Sequence, residues 1–420
     1  MRTLSCIAWL ACVGAAAGQQ FQLKDGDRVV FYGDSITDQR LYTVITETYV
    51  VTRYPNLNVT FVHSGWGGDK VSGGGGGPID LRLQRDVIAY KPTVMTIMLG
   101  MNDGLYKPET EATDKTFFDG YRHIVDTVKS AVPGIRITAI KPSPYDDVTR
   151  EPNFPGGYNE VLISFGKWIQ NYGEHAGLTV ADLNTGVVEM LKRADKLDPS
   201  DAQKILPDRV HPAFAGHLVM AEELLKTWNA RPVVAAVTID ASGREPKVEA
   251  AEHAHVSYLS GGQTIQWTET DDSLPLPMAE WEEARSSGPL ALVLKSSDAE
   301  QALNSGPLRV TGLKNGVYSL KIDGESVGTF NNDELARGID LGLLETPMSK
   351  QAKEVYDLTV SHCTIHNDRW RTVQVPLAKY NLPEAQPSIQ SWDALEQAVV
   401  AKRHEIGQPK PHTFTLEPVS

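Results

Sequence analysis

Four short stretches of this sequence combine residue types that could attack and cleave an ester. The apolar run Val29–Tyr32 passes into Gly33-Asp34-Ser35-Ile36-Thr37. A serine at a strand-to-helix junction is exposed, and the N–H groups opening the helix favour developing negative charge. Ser35 is therefore a candidate nucleophile, although a plain N-cap serine would look the same. The run Val59–Val62 leads into His63-Ser64-Gly65-Trp66-Gly67-Gly68-Asp69. Gly68 there could bring its N–H close to a ligand or simply turn the chain. Met95–Leu99 leads into Gly100-Met101-Asn102-Asp103. The Asn102 amide could donate to an oxyanion, and an Asn/Asp turn is the competing reading. Finally, Pro207-Asp208-Arg209-Val210-His211-Pro212 precedes a helical pattern. Histidine is the usual base for a serine hydroxyl, and a carboxylate nearby on the same loop can hold its tautomer. A metal centre would need more ligands at helix spacing than stand beside His211, so no metal and no organic cofactor is expected.

These stretches fall at regular places in an alternating pattern. Arg28–Tyr32, Asn58–Ser64, Thr93–Leu99, Arg136–Lys141 and Leu178–Asp182 read as strands. Helical spacing lies between them, as in Phe117, Tyr121, Ile124 and Val128, and follows in Phe214, Leu218, Ala221, Leu225 and Trp228. Such alternation predicts a flavodoxin-like three-layer α/β/α domain with a five-stranded parallel sheet. In that architecture ligands bind beyond the carboxyl ends of the strands, where Ser35, Gly68 and Asn102 stand. The five glycines Gly73–Gly77 lack the Lys and Ser/Thr of a phosphate loop and read as a turned or flexible loop beside the site.

The pattern changes after Arg231-Pro232. Val233–Ile239, Val256–Leu259, Thr264–Trp267, Leu290–Leu294 and Leu308–Val310 read as strands. Val317–Ile322 and Ser326–Phe330, with Asn315-Gly316 and Asp323-Gly324 as turns, read as a meander. Residues 231–345 are expected to form a small β-rich domain, and 346–420 a helical C-terminal region. Trp267 or Trp281 could stack on sugar, but a lone Trp more often fills a core or an interface.

The start of the chain resembles an export signal over residues 1–18. Arg2 precedes the apolar run Leu4–Val13, and small residues follow at Ala15–Gly18. Residues 19–230 would then form the first mature domain, in a secreted or periplasmic protein. Cleavage would remove Cys6 and Cys12 and leave Cys363 alone, expected to be a packed thiol rather than a catalytic one. The net charge is −13, and no apolar run is long enough for a membrane span. Nucleic acid and anionic membrane are thus disfavoured as main partners.

Taken together and in this order, the four stretches resemble the SGNH hydrolase superfamily, also called the GDSL esterase/lipase family, over residues 28–230. The resemblance implies Ser35 as nucleophile, His211 as base and Asp208 as its orienting acid. It implies an oxyanion hole from the Ser35 and Gly68 N–H groups and the Asn102 side chain. Asp34 and Asp103 match positions that hold turns together. Two departures stand out: Ile36 replaces the usual Leu, and His63 stands where Asn is common. The expected substrate is an acylated small molecule or polysaccharide. Removal of acetyl or other short acyl groups from carbohydrate is favoured. A general short-chain esterase or lipase and a non-catalytic glycan-binding protein are the alternatives.

Overall fold

The computed structural model describes residues 20–281 and 287–419. The expected export signal over residues 1–18 lies outside them. Five parallel strands, Arg28–Gly33, Thr60–Gly65, Val94–Met98, Arg136–Lys141 and Thr179–Asp182, form one sheet in the order second, first, third, fourth, fifth. This is the doubly wound order foreseen from the alternation, and its switch point lies beside the first strand. Gly33 pairs with both Gly65 and Met98, so the first three strands end level. The loops carrying Ser35, Gly68 and Asn102 therefore start side by side.

Both faces of the sheet are covered. Helices Glu111–Ala131 and Gly157–Ala176 pack through Phe117 on Phe165, stacked at 4.1 Å, and Phe118 on Trp168 at 4.6 Å. Helix Leu41–Arg53 is buried along nearly its whole length, including Thr43, Thr46, Glu47, Thr48 and Arg53. A helix buried on all sides needs cover on its outer face. Helix Phe214–Thr227 packs on it, and the long C-terminal helix Pro347–Asn367 supplies further cover. Two threonines of Leu41–Arg53 satisfy their hydroxyls within the helix: Thr46 Oγ1 donates to the Tyr42 carbonyl and Thr52 Oγ1 to the Thr48 carbonyl, both at 2.8 Å.

Beyond residue 231 lie two more sheets. One has five strands in the order 254–260, 265–271, 412–418, 317–322, 325–331. The other has four strands, with Pro307–Thr311 parallel to Ala236–Asp240. They enclose a second core containing Val237, Ile239, Trp267, Leu320 and Phe414.

Three expectations need correction here. Leu290–Leu294 is not a strand: Pro289–Ser296 is a helix whose Leu290, Leu292 and Val293 pack into the first core. A five-residue apolar run does not reveal its period, and Pro289 at the first turn favours the helix. Asn315-Gly316 does not join two paired strands, because 307–311 and 317–322 belong to different sheets. Asp323-Gly324 does make a hairpin turn, with φ of 51° and 84° as a primed turn requires. Third, 346–420 is helical only to Ile406; His412–Pro418 is a strand in the middle of the five-stranded sheet. Its alternation, His412, Phe414 and Leu416 buried, is too short to outweigh the helical pattern before it.

Trp267 is fully buried, stacks on Phe414 at 5.0 Å and donates to Glu269 at 2.8 Å. Trp281 is buried against Phe214 and Tyr356. Both are core residues rather than sugar platforms. Among the described residues no helix is long and apolar enough to cross a membrane.

Candidate active site

Ser35 opens a short helix, Ser35–Asp38, directly after the first strand. Asp34 is the N-cap, and its carboxylate accepts from the Ile36 N–H at 3.0 Å. This local bond holds the sharp turn that presents the Ser35 side chain. Residues 208–211 form a second compact turn. Asp208 Oδ1 accepts from the N–H of Val210 at 3.0 Å and of His211 at 2.7 Å. Its other oxygen meets His211 Nδ1 at 2.7 Å. Since a carboxylate only accepts, Nδ1 carries the proton and Nε2 has its lone pair free. That lone pair faces the Ser35 hydroxyl, with Nε2 and Oγ 2.8 Å apart. Partial burial works against the charge of Asp208, but these hydrogen bonds outweigh it and hold the carboxyl below its ordinary range.

The loop after the second strand passes beside Ser35: a Cβ built on Gly67 would lie 4.0 Å from the serine Cβ. The Gly67 N–H is committed to Asp38 at 3.0 Å. Gly68 follows with φ of 78°, a backbone that glycine adopts at little cost. Asn102 donates one amide hydrogen to the Asp69 carbonyl at 3.1 Å and accepts from Tyr106 OH at 3.0 Å. These two bonds fix which way the amide points and leave its second hydrogen uncommitted. Asp103 Oδ1 accepts from the Val71 N–H at 2.9 Å and ties this loop to the preceding one.

Burial pushes both Asp34 and Asp103 up to about 7. Near neutral pH they are thus partly protonated, which limits negative charge under the pocket that would receive an oxyanion. The buried Arg82 answers the remaining charge. It bonds Asp69 at 2.7 Å and the Ser64 carbonyl at 2.7 Å, pairs with Asp86, and lies under the Trp66 ring at 5.3 Å. The glycine run packs on this pair rather than hanging free. Gly73–Gly74 and Gly77–Pro78 form a small hairpin, and a Cβ on Gly76 would sit 2.6 Å from Arg82 Cδ and 2.7 Å from Trp66 Cδ2.

Ser35, Asp208 and His211 line an open cleft of about 780 Å³. Its other wall comes from the far end of the chain, because Asn367 and Arg371 line it too. The helix Pro347–Asn367 continues into a π-helical turn, Asp368–Gln374, which carries Trp370 and Arg371 against Trp66. Sequence reasoning missed this contribution. The helical period around Trp370 was legible, but nothing local says where a helix docks more than 300 residues away in the chain.

One other group has metal-ligand chemistry: Glu47, His63 and His362, all buried. Glu47 already hydrogen-bonds His63 at 2.8 Å and Arg403, and lies 3.1 Å from His362 Nδ1 as an ion pair. A metal ion would have to displace the Arg403 charge, so the cluster fits an ion-pair network better. Cys363 is buried and its thiol is pushed up by burial, which disfavours the thiolate a nucleophile needs. His217 holds Gln39 at 3.0 Å and stands outside the Ser35–His211–Asp208 chain.

Comparison with known proteins agrees with this fold. The family model of the GDSL-like lipase/acylhydrolase family matches residues 31–219. An acetylxylan esterase of Geobacillus stearothermophilus is 27% identical over 233 residues, covering 49% of this chain and 95% of that protein. Among solved structures, a gut microbial diltiazem-metabolizing enzyme superposes with a TM-score of 0.81 at 24% identity, over 94% of this chain and 98% of that one. That match extends the shared fold through the C-terminal sheets and helices. A catalytic mutant of the Geobacillus stearothermophilus acetylxylan esterase covers 49% of this chain and 96% of its own, at 24% identity and a TM-score of 0.40. Residues 31–219 thus match the GDSL-like lipase/acylhydrolase family, of the SGNH hydrolase superfamily, and these matches support an ester-hydrolysing enzyme.

Proposed function

We propose that this protein is an exported serine esterase that removes acetyl or other short acyl groups from carbohydrate. The observation that carries the proposal is the unbroken chain from Ser35 Oγ through His211 to Asp208 at the edge of an open, polar cleft. His211 Nε2 takes the hydroxyl proton as Ser35 Oγ attacks the ester carbonyl. Negative charge gathers on the carbonyl oxygen, facing the N–H groups of Ser35 and Gly68 and the free amide hydrogen of Asn102. The C–O bond breaks, and the departing alcohol receives the proton from His211. Water then adds to the acyl-enzyme by the same route and releases the acid and Ser35.

The acetyl preference is supported by the cleft itself. Eight of its eleven lining residues are polar or charged, and the other three are Pro207, Pro212 and Ala213, none of them a large apolar side chain. The sequence relation to an acetylxylan esterase points the same way. Export rests on the first eighteen residues of the sequence.

The test is a panel of p-nitrophenyl esters and acetylated oligosaccharides with the parent protein and Ser35→Ala. The acetate should be cleaved with a higher kcat/KM than the octanoate, acetate should be released from oligosaccharide, and Ser35→Ala should lose both activities while keeping its fold. A preference for octanoate with no attack on any acetylated glycan would replace this reading with a lipase-like one. Parent-like turnover by Ser35→Ala would reduce Ser35 to an ordinary first-turn residue behind the Asp34 cap.

A further inference from the structure

The cleft beside Ser35 is rich in hydrogen-bond donors whose acidic neighbours are already engaged. Arg371 uses Nη1 on both oxygens of Asp38, at 3.2 Å each, and reaches the Gly65 carbonyl at 3.5 Å. Its guanidinium carbon sits over Trp66, 3.6 Å from the ring centroid. Its Nε and Nη2 donate to no described residue. Arg40 stands on the other side of Asp38, with Nη1 3.9 Å away and no closer partner among the described residues. Its backbone is left-handed, with φ of 61°, an uncommon conformation for arginine and one that recurs at functional sites.

The remaining walls add donors. His217 Nδ1 accepts from the Tyr42 N–H at 3.2 Å, so its Nε2–H donates to Gln39 Oε1 at 3.0 Å. That leaves the Gln39 amide hydrogens free at the cleft, and Asn367 stands opposite them. The two carboxylates of the cleft are both occupied. Asp208 holds the His211 turn, and Asp38 accepts from Gly67 and Arg371. Two guanidinium groups thus share the one partly buried counter-charge of Asp38.

We infer that the cleft takes an ester substrate carrying a carboxylate near the scissile bond, held between Arg40 and Arg371. A guanidinium fork matches a carboxylate with paired N–H donors, and a ring beneath it fixes the plane of the fork. The inference rests on the esterase reading and narrows its substrate class to acidic esters. It also gives the C-terminal segment a role: Arg371 arrives from the turn after Pro347–Asn367 and makes the specificity of the serine site depend on that segment.

The carboxylate can belong to the alcohol, as in a uronic-acid saccharide, or to the acyl group. Two pairs of substrates separate these sources. One pair is acetylated oligogalacturonate and the same material with its carboxyls methyl-esterified, followed by acetate release. The other is p-nitrophenyl hemisuccinate and p-nitrophenyl acetate. The charged member of at least one pair should have a kcat/KM about tenfold higher, in line with a partly exposed charge-assisted contact. Arg371→Gln should abolish that preference, Arg371→Lys should restore part of it, and Arg40→Glu should reverse it. A merely structural role for either arginine would lower both members of a pair equally. A parent protein that favours the neutral member of both pairs overturns the inference.

Binding keeps this test independent of catalysis. Unacetylated oligogalacturonate should bind Ser35→Ala about tenfold more tightly than its methyl ester in calorimetry if the carboxylate is on the alcohol. If no ester is cleaved yet this difference is seen, the esterase reading fails and the anion site stands. If the hemisuccinate pair alone shows the preference, the carboxylate belongs to the acyl group.

Discussion

Glu47→Gln is the most informative single change for the way the C-terminal helices are held. Glu47 is fully buried in helix Leu41–Arg53 and faces groups from three other elements: the His63 imidazole on the second strand, which burial keeps from charging, and the cations His362 on Pro347–Asn367 and Arg403 on Ala385–Ile406. His362 also meets Glu396 at 3.1 Å, with His366 and Arg369 close by. Burial alone would lower His362; the Glu47 and Glu396 carboxylates outweigh it and raise it from 6.5 to about 9. That rise corresponds to about 3 kcal/mol. Because the folded value is the higher one, this stabilisation is complete below pH 6.5 and is lost as pH climbs through 9. Breaking a buried pair from one side costs about 3–5 kcal/mol. Urea unfolding near pH 6 should therefore show Glu47→Gln less stable by roughly 3 kcal/mol, with the gap narrowing toward pH 9.5. Asp34 and Asp103, at about 7, and Glu222, at about 8, also titrate in this window. They do so in both proteins and cancel in the difference. A gap that stays constant from pH 6 to 9.5, or no gap at all, would refute the reasoning.

Three further outcomes follow from the site. Asn102→Ala should lower kcat by ~10²–10³ with KM little changed if, as proposed, its second amide hydrogen serves the developing oxyanion; steady-state kinetics on p-nitrophenyl acetate separates this from a loss confined to KM. His211→Ala should cost as much activity as Ser35→Ala, and Asp208→Asn less, because the backbone of the 208–211 turn still orients the imidazole; kcat measured on all three variants checks the order. Gly76→Ala must push Cβ against Arg82 and Trp66 at 2.6 and 2.7 Å, so it should destabilise by about 1–3 kcal/mol in thermal unfolding and lower activity as the Gly67–Gly68 loop shifts.

Much of this site is local in sequence, and for that reason it was legible. Ser35, Gly68 and Asn102 each stand a few residues past a strand whose apolar, β-branched run marks it unaided, and Asp208 and His211 share one short turn. The parallel sheet follows from strand and helix periods alternating over about two hundred residues. What stayed hidden depends on contacts distant in sequence. Arg371, Asn367 and Trp370 reach the cleft only because Pro347–Asn367 docks on Leu41–Arg53. A sign of that docking was present in hindsight, since Leu41–Arg53 has no solvent face suited to its Thr and Val residues. The strand His412–Pro418 is invisible for a similar reason: seven alternating residues look like a tail until Trp267 and Leu320 are known to flank them. His63, which stands where the resembled family commonly has Asn, is tied to Thr43 and Glu47, both at 2.8 Å.

The most direct test of the central claim is to react the protein with a fluorophosphonate and map the adduct by peptide mass spectrometry while following p-nitrophenyl acetate hydrolysis. The account predicts one adduct per chain, on the peptide containing Ser35, with activity falling in proportion to labelling and no adduct in Ser35→Ala. Activity lost without modification of Ser35, or a stoichiometric adduct on another residue, would contradict it.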